Sequence, residues 1–219
     1  ASLTVLLLLL TASPGCRAPQ HANLQRFEFE QAQMGLPFRI VLYAESQALA
    51  STAARAAFAR VAALNQTFSD YEDDSELTKL SRSSGSGQAV KVSDELWRLL
   101  NVAETMSRRS GGAFDITVGP LVQVWRRARR QRELPAPEFL AEVKARVGWE
   151  KIVLDPRART AKLLVPGMRL DFGSIAKGRA LDEALRILRQ HGITRALVTG
   201  SGDMAIGDPP PGRLGWRIE

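Results

Sequence analysis

The sequence predicts an α+β fold. Two kinds of segment carry that expectation. Short runs of alternating apolar and polar residues read as hairpin strands, and amphipathic helices lie between them, with no internal repeat. Composition agrees with a folded domain: 219 residues, 45% apolar and 24% charged, with a single Cys. Those values exclude a disordered, collagen-like or disulfide-stapled chain, and the length suffices for one sizeable core or two small ones.

From the N-terminus, residues 17–23 read as a polar tether. Leu24 to Gln31 and Phe38 to Tyr43 alternate as two strands around Gly35 and Pro37. Residues 47–66 form an Ala-rich helix without glycine, with Ser46 as N-cap. Thr67 to Gln88 is polar and turn-rich, with a short helix around Leu77 and Leu80. Ser93 caps a further helix whose first turn carries Asp94 and Glu95, favourable to the helix dipole. Gly111 and Gly112 stop it. Pro135 to Val147 reads as a helix ended by Gly148. Lys151 to Leu154 and Thr160 to Val165 read as a hairpin, and Met168 to Asp171 as a short strand. Gly178 to Gln190 is helical and closes at His191-Gly192. Ala196 to Thr199 is a buried strand, Gly200 to Gly207 a Gly-rich turn, and Trp216 to Ile218 the start of another strand.

The formal net charge is +7, from 30 Lys and Arg against 23 Asp and Glu. Arg126, Arg127, Arg129, Arg130 and Arg132 hold most of the excess. A run like this reads first as a solvated helix face or loop, and otherwise as contact with anionic lipid or a phosphate-bearing ligand. Nucleic acid is not expected: no aromatic residues interleave the run, and no helix-turn-helix, finger or RNP pattern occurs.

Residues 1–16 carry no charge, and Leu3 to Leu10 is apolar apart from Thr4. This is too short for a membrane span of about 20 residues but fits the apolar region of a signal peptide. Small residues lead to Cys16, as in a bacterial lipoprotein signal. Gly15 fits the position before the cut; Ser13 stands where a Leu is usual. Export with Cys16 lipidated is expected, and an ordinary secretory signal with an incidental Cys is the alternative. One Cys and two distant histidines, His21 and His191, support neither a zinc site nor a Ser-His-Asp or Cys-His enzyme.

Four segments carry polar residues that a fold alone does not require: Met34-Gly35; Ser69-Asp70-Tyr71 with Asp74 to Leu77; Gly111 to Thr117; and Asp171 to Gly178. In the last, a carboxylate, two glycines and Lys177 stand at a helix entry, where free N–H groups attract anions. It is no Walker A loop, since Gly178 follows Lys177. Asp171 could bind a cation or a base edge; equally, it could cap a turn while Lys177 is solvated. In the third, Phe114 could stack on a planar ring and Asp115 accept hydrogen bonds, or Asp115 could serve only a turn. Gly200-Ser201-Gly202-Asp203 lacks the full dinucleotide fingerprint.

Together, in type and order, these segments resemble the ApbE family of flavin transferases from about Phe27 to Glu219. The family shows Met-Gly, S-x-Y-x-x-x-S-E-L, G-A-F-D-x-T, D-x-G-[GS]-I-A-K-G and a strand ending in G-G-D. Here Ser201 replaces the first Gly of the last motif. The resemblance implies a mixed sheet with flanking helices. It implies an enzyme that cuts FAD at its pyrophosphate and moves FMN to a Thr or Ser hydroxyl of a target protein, with magnesium required and AMP released. Met34, Tyr71, Ala113, Phe114, Asp115, Asp171 and Lys177 match positions that contact FAD, and Ser174 matches one that supplies a magnesium ligand. Exported members are often lipoproteins on the outer face of the bacterial inner membrane. Their targets belong to membrane redox complexes, which agrees with the reading of residues 1–16.

Such chemistry needs charge neutralisation and in-line positioning more than covalent help, with a base for the acceptor hydroxyl. The family's His-x-x-Asp-Pro and Asp-x-x-x-Thr segments, the first holding the candidate catalytic His, do not occur before Glu219. A truncated piece of a longer enzyme, inactive by itself, is therefore expected. The alternatives are a flavin-binding protein without transfer activity and a hydrolase splitting FAD with water.

Overall fold

The computed structural model describes residues 23–218. The expected signal peptide, Cys16, His21 and almost all of the tether lie outside them. The elements run β1 (Gln25–Gln33), β2 (Leu36–Ala44), α1 (Gln47–Phe68), α2 (Glu76–Arg82), β3 (Val90–Lys91), α3 (Asp94–Arg109), α4 (Gly119–Gln131) and α5 (Pro137–Lys144). A 3-10 turn (Trp149–Lys151) leads into β4 (Ile152–Asp155) and β5 (Thr160–Leu163), and then come α6 (Ala176–Gln190), β6 (Ala196–Gly200) and β7 (Asp203–Ile206). The fold is α+β, as the sequence predicts. One antiparallel sheet has the order β1-β2-β6-β7 and a second the order β3-β5-β4.

Alternation makes β1 and β2 a hairpin. Phe27 and Phe29 turn inward, while Glu28 on the outer face takes Arg26 and, across the ladder, Arg39. Phe38, Ile40 and Leu42 of β2 are fully buried, which stabilises by about 1.5–3 kcal/mol each. The strands meet through a two-residue turn, since Gln33 pairs with Leu36. Both turn residues lie at positive φ, 52° at Met34 and 74° at Gly35, the geometry that matches strand twist. Ala50, Ala53, Ala54 and Ala57 line the buried side of α1, and α6 presents Ala180 and Ala184. Small side chains let these two helices pack closely together against the sheet.

Serines start three helices, at Ser46 and Ser93 as expected and at Ser75 besides. Ser46, Ser75 and Ser93 accept from the main-chain N–H of Leu49, Thr78 and Leu96. Glu76 then receives both the N–H and the hydroxyl of Ser93 at 2.6 Å, tying the start of α3 to α2.

Four sequence expectations need correction. The arginine run fills the C-terminal part of α4 and ends on its C-cap, Arg132, and it is not wholly solvated, since Arg126 is half-buried. Met168 to Asp171 is not a strand. It makes a single bridge, Arg169 with Val118, because its N–H groups go elsewhere: Met168 to Val165, Leu170 to the Ser81 hydroxyl, Asp171 to Ile116. Gly200 to Gly207 is not all turn. Ser201 and Gly202, at φ 53° and 91°, close a tight hairpin, and Asp203–Ile206 pairs as β7. Trp216 to Ile218 forms no strand. The Trp216 indole donates to the Asp208 carbonyl and its ring lies 6.1 Å from that of Tyr43. Among the described residues no helix is long and apolar enough to cross a membrane.

Candidate functional site

Three of the four singled-out segments converge on one cleft of about 220 Å³. Met34 comes from the β1–β2 turn, Tyr71 from the loop after α1, and Phe172, Gly173 and Lys177 from the entry to α6. Leu36 and Phe68 extend its apolar wall. The left-handed backbone at Met34 is costly for a side chain with a Cβ, and the tight turn fixes where Met34 points.

The S-x-Y-x-x-x-S-E-L segment is a scaffold for Tyr71. The Ser69 hydroxyl accepts from the N–H of Tyr71 and of Glu72 at 3.2 and 3.1 Å. Ser75, fully buried, donates to the Ser69 carbonyl at 2.6 Å while capping α2. Leu77 anchors the segment in the core. The Tyr71 ring is left 73% exposed. Arg126 of α4 lies over it, with the guanidinium carbon 4.3 Å from the ring centre.

Arg126 is also the electrostatic link of the site. It donates to Asp70 at 2.9 Å and lies 3.6 Å from Asp171. Burial works against its charge, but the hydrogen bond to Asp70 and the nearby Tyr71 and Asp171 outweigh it and hold the guanidinium above its ordinary pKa. Asp171 is buried and spends its other oxygen on the Gly173 N–H at 2.7 Å. A Cβ on Gly173 would come within 2.9 Å of that oxygen, so glycine is what lets this turn close. Lys177 stands 3.7 Å from Asp203, which the Ser201-Gly202 turn brings alongside. Lys177 is thus in the first turn of α6, inside the helix rather than ahead of it.

Ala113, Phe114 and Asp115 are not among the residues lining this cleft. Asp115 accepts from the N–H and hydroxyl of Thr117, both at 2.7 Å, and from the Trp149 N–H at 3.0 Å. Thr117 in turn accepts from Gly148. The G-A-F-D-x-T segment therefore ties its own loop to residues 148–149, while the Asp171 N–H joins it to the Asp171 turn through Ile116. Ala113 is exposed and Phe114 packs half-buried against the core.

Ser174, the expected magnesium ligand, is exposed at the turn before α6. Among the described residues no three His, Cys, Asp or Glu side chains gather to hold a metal ion. Asp171 and Asp203 are engaged, Asp171 with Gly173 and Arg126, and Asp203 with Lys177. These residues do not make a cation site by themselves. Asp70 lies in a singled-out segment, whereas Arg126 is a functional candidate that the motifs did not mark. The only signal for Arg126 was its place in the arginine run.

The cleft joins an apolar wall, an exposed aromatic ring and cations beside a helix start. It can take a flat ring with an anionic tail. Known proteins point the same way. The model of the ApbE family matches residues 34–219. The chain is 32% identical over 145 residues to the FAD:protein FMN transferase of Haemophilus influenzae, covering 64% of this chain and 42% of that protein. It is 28% identical over 206 residues to the FAD:protein FMN transferase of Treponema pallidum, covering 91% and 56%. Its backbone is similar to the ApbE protein of Thermotoga maritima, with a TM-score of 0.78 at 27% identity, over 88% of this chain and 62% of that one. The chain spans about half the length of the curated relatives it matches.

Proposed function

The chain belongs to the ApbE family, and on that premise we propose that it serves in transfer of FMN from FAD to a Thr or Ser hydroxyl of a target protein. The observation that carries the proposal is the convergence of Met34, Tyr71 and Lys177, from distant parts of the chain, on one cleft. Met34, Leu36 and Tyr71 offer surfaces for the flavin dinucleotide's rings. Lys177 and the start of α6 offer positive charge to its diphosphate. The Asp171 turn holds Gly173 open beside them. Contact of FAD with Ala113, Phe114 and Asp115 belongs to the same proposal and is supported by the family resemblance.

In the reaction the acceptor oxygen bonds to the FMN phosphorus while that phosphorus parts from the bridging oxygen. AMP leaves with that oxygen, and the hydroxyl proton passes to a base. A magnesium requirement belongs to the same reading, with Ser174 as the expected ligand from the described part of this chain. So do export and lipid anchoring through Cys16, supported by the character of residues 1–16, and a target in a membrane redox complex, supported by the family resemblance.

Titration of FAD by fluorescence, together with mass analysis of a Thr-containing acceptor protein, tests the proposal. Lys177→Ala should weaken FAD binding by about tenfold, the size of a lost charge-assisted contact. The acceptor should gain one FMN only when the protein carries the family's His-x-x-Asp-Pro and Asp-x-x-x-Thr segments; AMP should then appear only with the acceptor present, and a chelator should stop both. AMP release without acceptor would mean hydrolysis, binding without AMP would mean a flavin carrier, and absence of FAD binding would end the reading.

A further inference from the structure

A second cleft, of about 490 Å³, adjoins the first and shares Asp70, Tyr71 and Arg126 with it. α4 and α5 form its sides, and Gly167 and Arg169 line it as well. Five guanidinium groups line it, from Arg126, Arg127, Arg130, Arg146 and Arg169, against the single carboxylate of Asp70. That carboxylate is already held by Arg126 at 2.9 Å, while the Asp70 carbonyl accepts from Arg169. Arg146, two residues past the end of α5, pairs with Glu142 of that helix. Arg127 and Arg130 are exposed, and neither makes an ion pair among the described residues. Two like charges three residues apart on one helix repel, and a concave wall concentrates their potential. Packing gives no reason for them to face this hollow. Phe139 of α5, 43% exposed, adds an apolar surface among the lining residues.

We propose that this cleft receives an acidic stretch of the acceptor protein, with carboxylates near the acceptor hydroxyl pairing with Arg127 and Arg130. The inference rests on the transferase reading, in which the second substrate is a polypeptide that must approach the flavin from one side. The cationic cleft opens beside Tyr71, so a segment lying in it runs past the first cleft. Guanidinium forks suit carboxylates, and Phe139 suits the aliphatic parts of a peptide. A flat membrane surface fits less well, because these arginines line a hollow.

The test uses the full chain and two fluorescein-labelled peptides of equal length. One has a central Thr with two Asp on each side; the other has Asn in place of Asp. The acidic peptide should bind at least tenfold more tightly at low salt and lose that advantage as salt rises. Arg127→Glu with Arg130→Glu should abolish the preference and leave FAD affinity unchanged. Arg129→Glu with Arg132→Glu, outside the cleft lining, should leave both unchanged. Should the first pair unfold the chain, Arg127→Gln with Arg130→Gln supplies the same comparison. Equal binding of the two peptides overturns the proposal. So does loss of FAD affinity in the first pair, which would give the cleft to the nucleotide. Binding to phosphatidylglycerol vesicles that depends on Arg127 and Arg130, without a peptide preference, would give it to the membrane. Failure of the wild type to bind FAD would instead sink the transferase reading, whatever the peptides do.

Discussion

Replacing Glu183 with Gln would test how α6, and Lys177 at its start, is held in place. The Glu183 side chain is only 5% exposed. Arg60 of α1 donates to it at 2.8 Å, Arg186 at 3.0 Å, and Arg179 lies 3.1 Å away. Burial pushes the Glu183 carboxyl up, but hydrogen bonds from Arg186 and Arg60 and the charge of Arg179 outweigh it. They hold its pKa at about 2, against an ordinary 4.5. A difference of that size is worth about 3 kcal/mol. Because the folded value lies below the unfolded one, this contribution is complete well above pH 4.5 and fades as pH falls toward 2. Gln keeps the shape without the charge and so stands in for the protonated acid. Arg60 and Arg179 retain Glu95, at 2.5 and 3.3 Å, so neither is stranded and the cost should not run much higher. Glu183→Gln should therefore cost about 3 kcal/mol at pH 7 and about 1.5 kcal/mol at pH 3, read from urea unfolding midpoints. A cost below about 1 kcal/mol at pH 7, or one equal at both pH values, would refute the charged hub.

Two further substitutions follow from backbone geometry and a third from a side-chain cap. Gly119→Ala would set a Cβ 2.5 Å from the Arg169 carbonyl oxygen, so it should cost about 1–3 kcal/mol in chemical denaturation and loosen α4 from the Asp171 turn. Ser201→Gly should raise the unfolding free energy by about 1 kcal/mol in urea titration, since Ser201 sits at φ 53° in a two-residue hairpin turn that glycine adopts without strain. Ser75→Ala removes both a helix cap and the bond to the Ser69 carbonyl; a loss of about 1–2 kcal/mol is expected, with weaker FAD binding because Tyr71 loses its frame.

Local signals made most of the fold legible. The β1–β2 hairpin, the capped α3 and the amphipathic α6 each follow from residues a few positions apart, which is the range of strand alternation and helical periodicity. The misreadings have long-range causes. Met168 to Leu170 alternates like a strand, yet Ser81, 89 positions away in sequence, takes the Leu170 N–H and the ladder never forms. In α4 only Gly119, Pro120, Val124 and Ala128 are buried, so charge hides a weak helical stripe. Two glycines beside Asp203 disguised a four-residue strand as turn.

At the site, the motifs marked the right neighbourhoods but could not separate residues that hold from residues that face the cleft. Ser69, Ser75 and Thr117 spend their hydroxyls within the fold, and Asp115 spends both carboxylate oxygens there. Met34, Tyr71 and Lys177 line the cleft. The division depends on where donors and acceptors end up after folding, and an ordered string of residue types does not record it. Arg126 is the sharpest case. It pairs with Asp70, 56 positions away, stacks on Tyr71 and reaches toward Asp171, joining three segments that the sequence shows only as separate motifs. Its neighbours Arg127 and Arg130 line the adjoining cleft while Arg129 and Arg132 do not. One stretch of like charge is thus split by helical rotation into a site residue, a candidate binding wall and a solvated face. Net charge alone could not have told these apart.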